Sequence, residues 1–412
     1  MLRFGLLGER LEHSYSPMIH AEFGDYEYRL YEKRPEDLDV FFRHGDFDGL
    51  NVTIPYKKTV IRYCGSLSET AQAIGSVNTI TRLADGSLHG DNTDYFGFAY
   101  LLGKTGIDQI DGKAVVLGSG GSSLTVQTVF KTLGVKDVSV ISRSGDDNYD
   151  NISKHYDATI IVNTTPVGMF PKNGVSPLAD LSIFRDCKAV IDLIYNPLRT
   201  ELMFQAEECG VLNTGGLLML VAQAKKSAEL FLHSSISDSL IEKAVSKISL
   251  LTRNIVLIGM PGCGKSSIGS ALAKKMNREF ADTDEWIISD AGKPIPAIFS
   301  EDGEDVFRKL ETEVLKAICK RSGLVIATGG GIIKRQENLN IMRQNGIVVF
   351  LDRDIDQLPA SGRPLSETEG TSKLAAERLP VYSQWGDHTF NVCGVEQTAS
   401  DIYEEYQKGA FL

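Results

Sequence analysis

The chain has 412 residues, of which 42% are hydrophobic and 24% charged, and its formal net charge is −11. That length suits two or three domains, and that composition suits packed globular cores with little disorder. The acidic balance argues against nucleic acid as the main partner, because phosphate binding along a backbone needs a basic face; small anionic ligands need only a local cluster of donors.

The cysteines, Cys64, Cys187, Cys209, Cys263, Cys319 and Cys393, form no CxxC pair, so neither a zinc knuckle nor a redox motif is visible. Scattered single thiols suit a reducing compartment, and a cytoplasmic location is expected. Glu9 and Arg10 interrupt the apolar start of the N-terminus, which reads as no signal peptide. No apolar run reaches the roughly 18 residues of a membrane span.

In chain order, the first features are four polar stretches. They are His13-Ser14-Tyr-Ser16-Pro17, Asn51-Val-Thr53-Ile-Pro55-Tyr-Lys57, Ser76-Val-Asn78-Thr79 and Asn92-Thr93-Asp94. Their hydroxyls and amides suit a polyhydroxylated carboxylic acid. A lysine near a carboxylate, as Lys57 with Asp94, can protonate a nascent alkoxide after hydride arrival. The same pair reads equally well as a structural ion pair.

Next comes Ala114-Val-Val-Leu-Gly118-Ser119-Gly120-Gly121-Ser122-Ser123, a short β-branched run followed by a glycine turn and a helix start. That order begins a dinucleotide-binding unit, although Ser123 stands at the third glycine position and a plain turn fits too. The strand Val138-Ser-Val-Ile141 ends in Ser142-Arg143-Ser144, where Arg143 suits a 2′-phosphate. Leu217 to Leu232 has apolar residues at helical spacing, with Lys225, Lys226 and Glu229 on the other face, and a second helix is expected over residues 236–250.

A second phosphate loop follows almost at once: Ile255-Val-Leu-Ile-Gly259-Met-Pro-Gly262-Cys263-Gly264-Lys265-Ser266-Ser267. Backbone N–H groups of such a loop converge on phosphate oxygens, Lys265 reaches the β- and γ-phosphates, and the Ser266 hydroxyl can ligate Mg²⁺. Asp282-Thr-Asp284 is expected at a strand end, its carboxylates on opposite sides. Gly303-Glu304-Asp-Val-Phe307-Arg308-Lys-Leu-Glu311, the triplet Gly329-Gly330-Gly331, Gly362-Arg363-Pro364-Leu365 and Glu377-Arg378-Leu-Pro-Val-Tyr382 complete the set. Its arginines suit carboxylates and transferring phosphoryl groups.

The second half, about residues 253 to 412, resembles the shikimate kinases in the order and rough spacing of these motifs. The resemblance implies that Arg308 and Arg378 grip the substrate carboxylate while Asp284 and Gly330 hold its hydroxyls. Asp284 would accept the 3-hydroxyl proton, Asp282 would sit near Mg²⁺ with Ser266, and Arg363 would close over the phosphates of ATP. One departure is that the stretch from Leu351 to Arg363 is shorter than the family's lid and lacks a second arginine just upstream of Arg363.

The first half, about residues 1 to 248, resembles the shikimate dehydrogenases. The match continues through Asn163-Thr-Thr-Pro-Val-Gly168-Met169, Asp192-Leu-Ile-Tyr195-Asn-Pro197 and Gly216-Leu-Leu-Met219-Leu-Val-Ala-Gln223. It implies that Ser14 and Ser16 bind the substrate carboxylate, with Tyr195 a further substrate neighbour. Thr53, Asn78, Asp94 and Gln223 would hold hydroxyls, and Lys57 with Asp94 would do the proton work. Gly118 to Ser122 would cradle the pyrophosphate, Ser142, Arg143 and Ser144 would meet the ribose end, and Gly216 would lie by the nicotinamide. NADPH is the expected cofactor, although Gly145-Asp146-Asp147 stands where the family often has a second basic residue, which keeps NAD open.

The expected fold is α/β: a two-lobed dehydrogenase with a Rossmann-like NADP lobe, then a P-loop kinase with a parallel sheet. The expected domains are 1–250, with a substrate lobe of 1–98 plus returning helices over 217–250 and an NADP lobe of 99–216, and then 251–412. The two halves would reduce 3-dehydroshikimate to shikimate and then phosphorylate it, with no nucleic acid or membrane partner and no oligomeric state assigned. Rival readings are a quinate/shikimate dehydrogenase using NAD with an impaired kinase half, and a regulatory protein that senses shikimate.

Overall fold

The structure is a computed structural model that describes residues 2–11, 14–107, 111–358 and 371–411. It divides into two compact units, Met1–Ile248 and Ser249–Leu412.

The first unit holds two sheets. One is mixed, with strand order Glu27–Glu32, Arg3–Gly8, Gly49–Val52, Thr79–Arg82, Leu88–Asp91 and Ser66–Leu67. The first three strands are parallel, and Thr79–Arg82 runs antiparallel to both its neighbours. The other sheet is parallel throughout, in the order Leu212–Gly215, Ala189–Asp192, Ala158–Asn163, Lys113–Leu117 and Asp137–Ile141.

Lys113–Leu117 shows why this second sheet is buried on both sides. Ala114 and Val116 pack with Phe98, Val126 and Phe130, whereas Val115 and Leu117 pack with Ile161, Val190 and Leu202 on the opposite face. Such continuous apolar strands belong to parallel sheets covered by helices. The strand sits where the order reverses, the place at which an open α/β sheet leaves a crevice beyond its carboxyl ends.

Helix Leu217–Leu232 returns to pack on helix Asp94–Thr105. Gly97 allows the close approach, since a Cβ there would lie 2.7 Å from the Met219 carbonyl oxygen. This contact carries Gln223 to the polar stretches of the first lobe. The polar face of the helix is not all exposed. Lys225 is buried, its ammonium bonded to Glu229 at 2.6 Å and Asp238 at 2.8 Å and lying over the Phe96 ring. Two carboxylates and an aromatic face satisfy the charge, so a polar helix face need not be a solvated one. The following helix spans Ser239–Thr252 rather than 236–250.

The second unit is built on five parallel strands in the order Phe280–Asp282, Val325–Ala327, Asn254–Ile258, Gly346–Asp352 and His388–Asn391. Asn254–Ile258 is fully buried and feeds the phosphate loop, and helix Lys265–Met276 begins at the loop's end. Gly264 has φ +105°, a left-handed turn that favours glycine and swings the chain into the helix.

Candidate active sites

In the first unit, Lys57 Nζ donates to Asp94 Oδ2 at 2.6 Å, and both side chains are largely shielded from solvent. Asp94 opens helix Asp94–Thr105, and its other oxygen accepts from Asn78 Nδ2 at 2.9 Å. Gln223 stands at the same place, with Oε1 3.4 Å from Asn78 Nδ2 and Nε2 donating to the Leu220 carbonyl at 2.8 Å. Four side chains far apart in sequence thus form one polar cluster. It lies against the glycine loop, because a Cβ on Gly121 would come within 3.9 Å of Lys57 Cδ.

The other residues expected to bind substrate approach from the first sheet. Thr53 follows strand Gly49–Val52, and its N–H donates to the Leu7 carbonyl at 2.9 Å. Ser14 Oγ accepts from the Ser16 N–H at 3.2 Å, and Ser16 starts helix Ser16–His20. Tyr15, between the two serines, packs on Tyr195 with ring centroids 5.4 Å apart. That contact ties Tyr195 to the serine segment, and burial pushes its phenol up to about 12. His13 lies outside the described residues.

The loop Gly118–Ser122 leads from strand Lys113–Leu117 into helix Gly121–Thr132. Gly118 has φ +103°, and a Cβ there would press on Thr164 Oγ1 at 2.8 Å. Ser123, at the third glycine position, is fully buried, so a small side chain fits the close packing. Gly216 precedes helix Leu217–Leu232 and donates to the Ile194 carbonyl at 2.9 Å. A Cβ on Gly216 would overlap the Leu193 backbone. Arg143 and Ser144 are exposed, Ser142 is half-buried, and Tyr149 lies within electrostatic reach of Arg143. The Ser142 N–H donates to the Asp147 carbonyl at 3.1 Å, which folds the acidic turn back on this segment.

In the second unit, Lys265 Nζ donates to the carbonyls of Gly259 at 2.8 Å and Met260 at 3.0 Å, so the ammonium is held inside its own loop beside buried Cys263. Gly262, Gly264, Ser266 and Ser267 complete the turn and the first turn of the helix. Ser266 Oγ donates to Asp282 Oδ2 at 2.5 Å, and Asp282 Oδ1 accepts the Asp284 N–H at 2.9 Å. The two aspartates do not sit on opposite sides of a strand. Asp282 ends strand Phe280–Asp282 and caps helix Thr283–Ala291, while Asp284 lies in that helix's first turn. The cap forces the change, because accepting the Asp284 N–H turns the chain helical at Thr283.

The glycine triplet collects the remaining groups. A Cβ on Gly329 would meet Glu311 Oε1 at 2.7 Å and Asp284 Oδ1 at 2.9 Å, and one on Gly331 would overlap the Arg308 guanidinium. Gly330 abuts Pro261 of the phosphate loop, and its carbonyl accepts from Arg378 Nη1 at 2.8 Å and from the Tyr382 hydroxyl. Arg308 is bonded to Glu311 at 2.7 Å and to Glu304 at 3.1 Å. Arg378 is 4% exposed, and its Nε and Nη2 have no hydrogen-bond partner among the described residues. Burial raises the Glu311 carboxyl, opposed by neighbouring Arg308. Glu311 and Tyr382 belong to the sequence motifs, yet nothing local announces a role for either; their contacts with Gly329 and Gly330 arise only in the fold. Arg363 and its flanking Gly362, Pro364 and Leu365 lie outside the described residues.

Comparison with known proteins gives a partner for each half. Residues 6–80 match the family model of the shikimate dehydrogenase substrate binding domain, and residues 261–408 match that of shikimate kinase. The chain is 36% identical over 259 residues to a shikimate dehydrogenase (NADP(+)) of Clostridium beijerinckii, covering 58% of this chain and 95% of the relative. Among solved structures, it is similar to shikimate dehydrogenase 1 of Peptoclostridium difficile, at 36% identity and a TM-score of 0.56, covering 60% of this chain and 98% of that one. It is also similar to the Thermus thermophilus shikimate 5-dehydrogenase in complex with NADP(H) and shikimate, at 31% identity and a TM-score of 0.54, covering 60% and 99%. Among the described residues no helix is long and apolar enough to cross a membrane. The chain belongs to the shikimate dehydrogenase family and carries a shikimate kinase domain in the same polypeptide.

Proposed function

We propose that the chain is a bifunctional enzyme that reduces 3-dehydroshikimate to shikimate with NADPH and then phosphorylates shikimate at its 3-hydroxyl with MgATP. The single observation that carries the first step is the Lys57–Asp94 pair at 2.6 Å, held by Asn78 and set against the glycine loop. Bound NADPH supplies the hydride. Lys57, oriented by Asp94, delivers the proton to the new hydroxyl oxygen. Ser14 and Ser16 take the carboxylate, with Tyr195 beside them, while Thr53, Asn78, Asp94 and Gln223 hold the ring hydroxyls. The N-terminus of helix Gly121–Thr132, with loop residues Gly118 to Ser122, fits a pyrophosphate, since its first N–H groups have no intrahelical partner. Gly216 would lie by the nicotinamide. Arg143, with Ser142 and Ser144, would receive a 2′-phosphate; the acidic turn beside it is the one observation that favours NAD instead.

For the second step, the edge of Arg378 that has no partner among the described residues supports a bidentate grip on the shikimate carboxylate, shared with Arg308. Asp284 accepts the 3-hydroxyl proton as the oxygen attacks the γ-phosphorus of ATP and the bond to the bridging oxygen breaks to release ADP, and the Gly330 backbone borders the ring hydroxyls. The loop N–H groups of Gly262 to Ser267 hold the phosphates once Lys265 exchanges its loop carbonyls for phosphate oxygens. The Ser266 hydroxyl and Asp282 carboxylate, 2.5 Å apart, are hard oxygen donors that suit Mg²⁺, which binds through few protein groups and keeps its waters. Arg363 belongs to this reading as a group that covers the phosphates.

Two single substitutions test the assignment. Lys57→Ala should abolish NADPH oxidation with 3-dehydroshikimate and leave phosphorylation of added shikimate intact, and Lys265→Ala should do the reverse. Loss of both activities, or of neither, in either variant contradicts the assignment.

A further inference from the structure

Thr93 immediately precedes Asp94 and is 2% exposed. A threonine before a helix usually caps it through its side chain, yet Thr93 makes no side-chain cap hydrogen bond to helix Asp94–Thr105. Its hydroxyl is directed elsewhere. It lies 3.2 Å from Asn78 Oδ1, 3.4 Å from Gln223 Oε1, 3.1 Å from Thr79 Oγ1 and 2.9 Å from Ser227 Oγ.

The donor inventory turns these distances into an orientation. The Thr93 backbone N–H can only donate, and it does so to Asn78 Oδ1 at 2.7 Å. The Asn78 amide therefore cannot be turned over, and its Nδ2 faces Asp94 Oδ1 and Gln223 Oε1. Asp94 then presents its other oxygen to Lys57. Ser227 is fully buried; its Oγ accepts from Asn51 Nδ2 at 2.7 Å and can donate to the Gln223 carbonyl at 3.1 Å, so it backs the Thr93 hydroxyl from helix Leu217–Leu232.

We infer that Thr93 is a positioning residue for the dehydrogenase site: its N–H and hydroxyl together fix the Asn78 and Gln223 amides, and through Asn78 the Asp94 carboxylate against Lys57. The inference rests on the assignment of Lys57 and Asp94 to proton transfer. Thr93 acts through its neighbours: its hydroxyl is surrounded by Asn78, Gln223, Thr79 and Ser227.

The test uses the full chain with Thr93→Val, which nearly conserves volume and removes only the hydroxyl, and Thr93→Ser, which restores it. Thr93→Val should lower kcat/KM for 3-dehydroshikimate about tenfold, the scale of one buried hydrogen bond. The KM for NADPH and the shikimate phosphorylation rate should stay unchanged. Thr93→Ser should recover most of the loss, and the pH at half-maximal turnover should move in the valine variant only. A valine variant as active as the native chain overturns the inference. So does a serine variant as impaired as the valine one, or a loss spread equally over 3-dehydroshikimate and NADPH. Native turnover with an unaffected valine variant overturns Thr93 alone, whereas a native chain that never oxidises NADPH overturns the underlying assignment as well.

Discussion

Arg378 offers the sharpest perturbation of the kinase half. Its Nη1 is committed to the Gly330 carbonyl, and its Nε and Nη2, which form one edge of the guanidinium, are buried without a partner among the described residues. That edge matches a carboxylate with two parallel N–H donors, a geometry that a lysine ammonium cannot reproduce. Arg378→Lys therefore keeps the charge and forfeits about one charge-assisted hydrogen bond, worth about 1.5–3 kcal/mol. The expected result is a fall of roughly 10- to 150-fold in kcat/KM for shikimate phosphorylation. The Tyr382 hydroxyl still holds the Gly330 carbonyl, so the glycine triplet should keep its place. Initial rates with shikimate varied at saturating MgATP, and then with MgATP varied, separate the two substrates. A change under about twofold, or an equal loss for shikimate and ATP, would refute the carboxylate grip.

Three further outcomes are expected. Arg143→Ala should raise the apparent KM for NADPH much more than that for NADH, and equal effects on both cofactors would remove Arg143 from the 2′-phosphate role. Ser266→Ala should raise the Mg²⁺ concentration needed for half-maximal phosphorylation while dehydrogenase turnover stays level; an unchanged Mg²⁺ titration would exclude Ser266 as a ligand. Burial raises the Asp192 carboxyl to about 6, opposed by hydrogen bonds from Thr200, Ile194 and Asn163. Because the folded value exceeds the unfolded one, the folded state binds more protons between pH 4 and 6, so this group's stabilising contribution is lost as pH rises through that window. Asp192→Asn should therefore gain stability relative to the native chain on going from pH 4 to pH 7, by about 1–3 kcal/mol. Denaturant unfolding at the two pH values checks this, and a gain at pH 4 that vanishes at pH 7 would contradict it.

Much of the candidate site was legible because phosphate loops and glycine triplets are local: strand, turn and helix lie within a dozen residues, and glycine marks where backbone must approach a ligand or turn left-handed. What pairs over long range was less legible. Helical spacing sets Lys225 on a polar face, but spacing cannot show that Asp238 returns to meet it. Asp282-Thr-Asp284 reads as a strand end in the sequence, since nothing in three residues announces that the first caps the helix holding the second. Ser227 carried no signal at all, and its importance arises from the approach of two helices at Gly97. Glu311 likewise gains meaning only from the glycine triplet folded over it.

The most direct test is to incubate the purified chain with 3-dehydroshikimate and NADPH, with and without MgATP, following NADPH loss optically and shikimate 3-phosphate by mass. NADPH oxidation in both mixtures, with phosphorylated product only where ATP is present, is the predicted result. Shikimate accumulating unphosphorylated despite MgATP would contradict the kinase half, and no NADPH oxidation would contradict the order of reactions proposed for the whole chain.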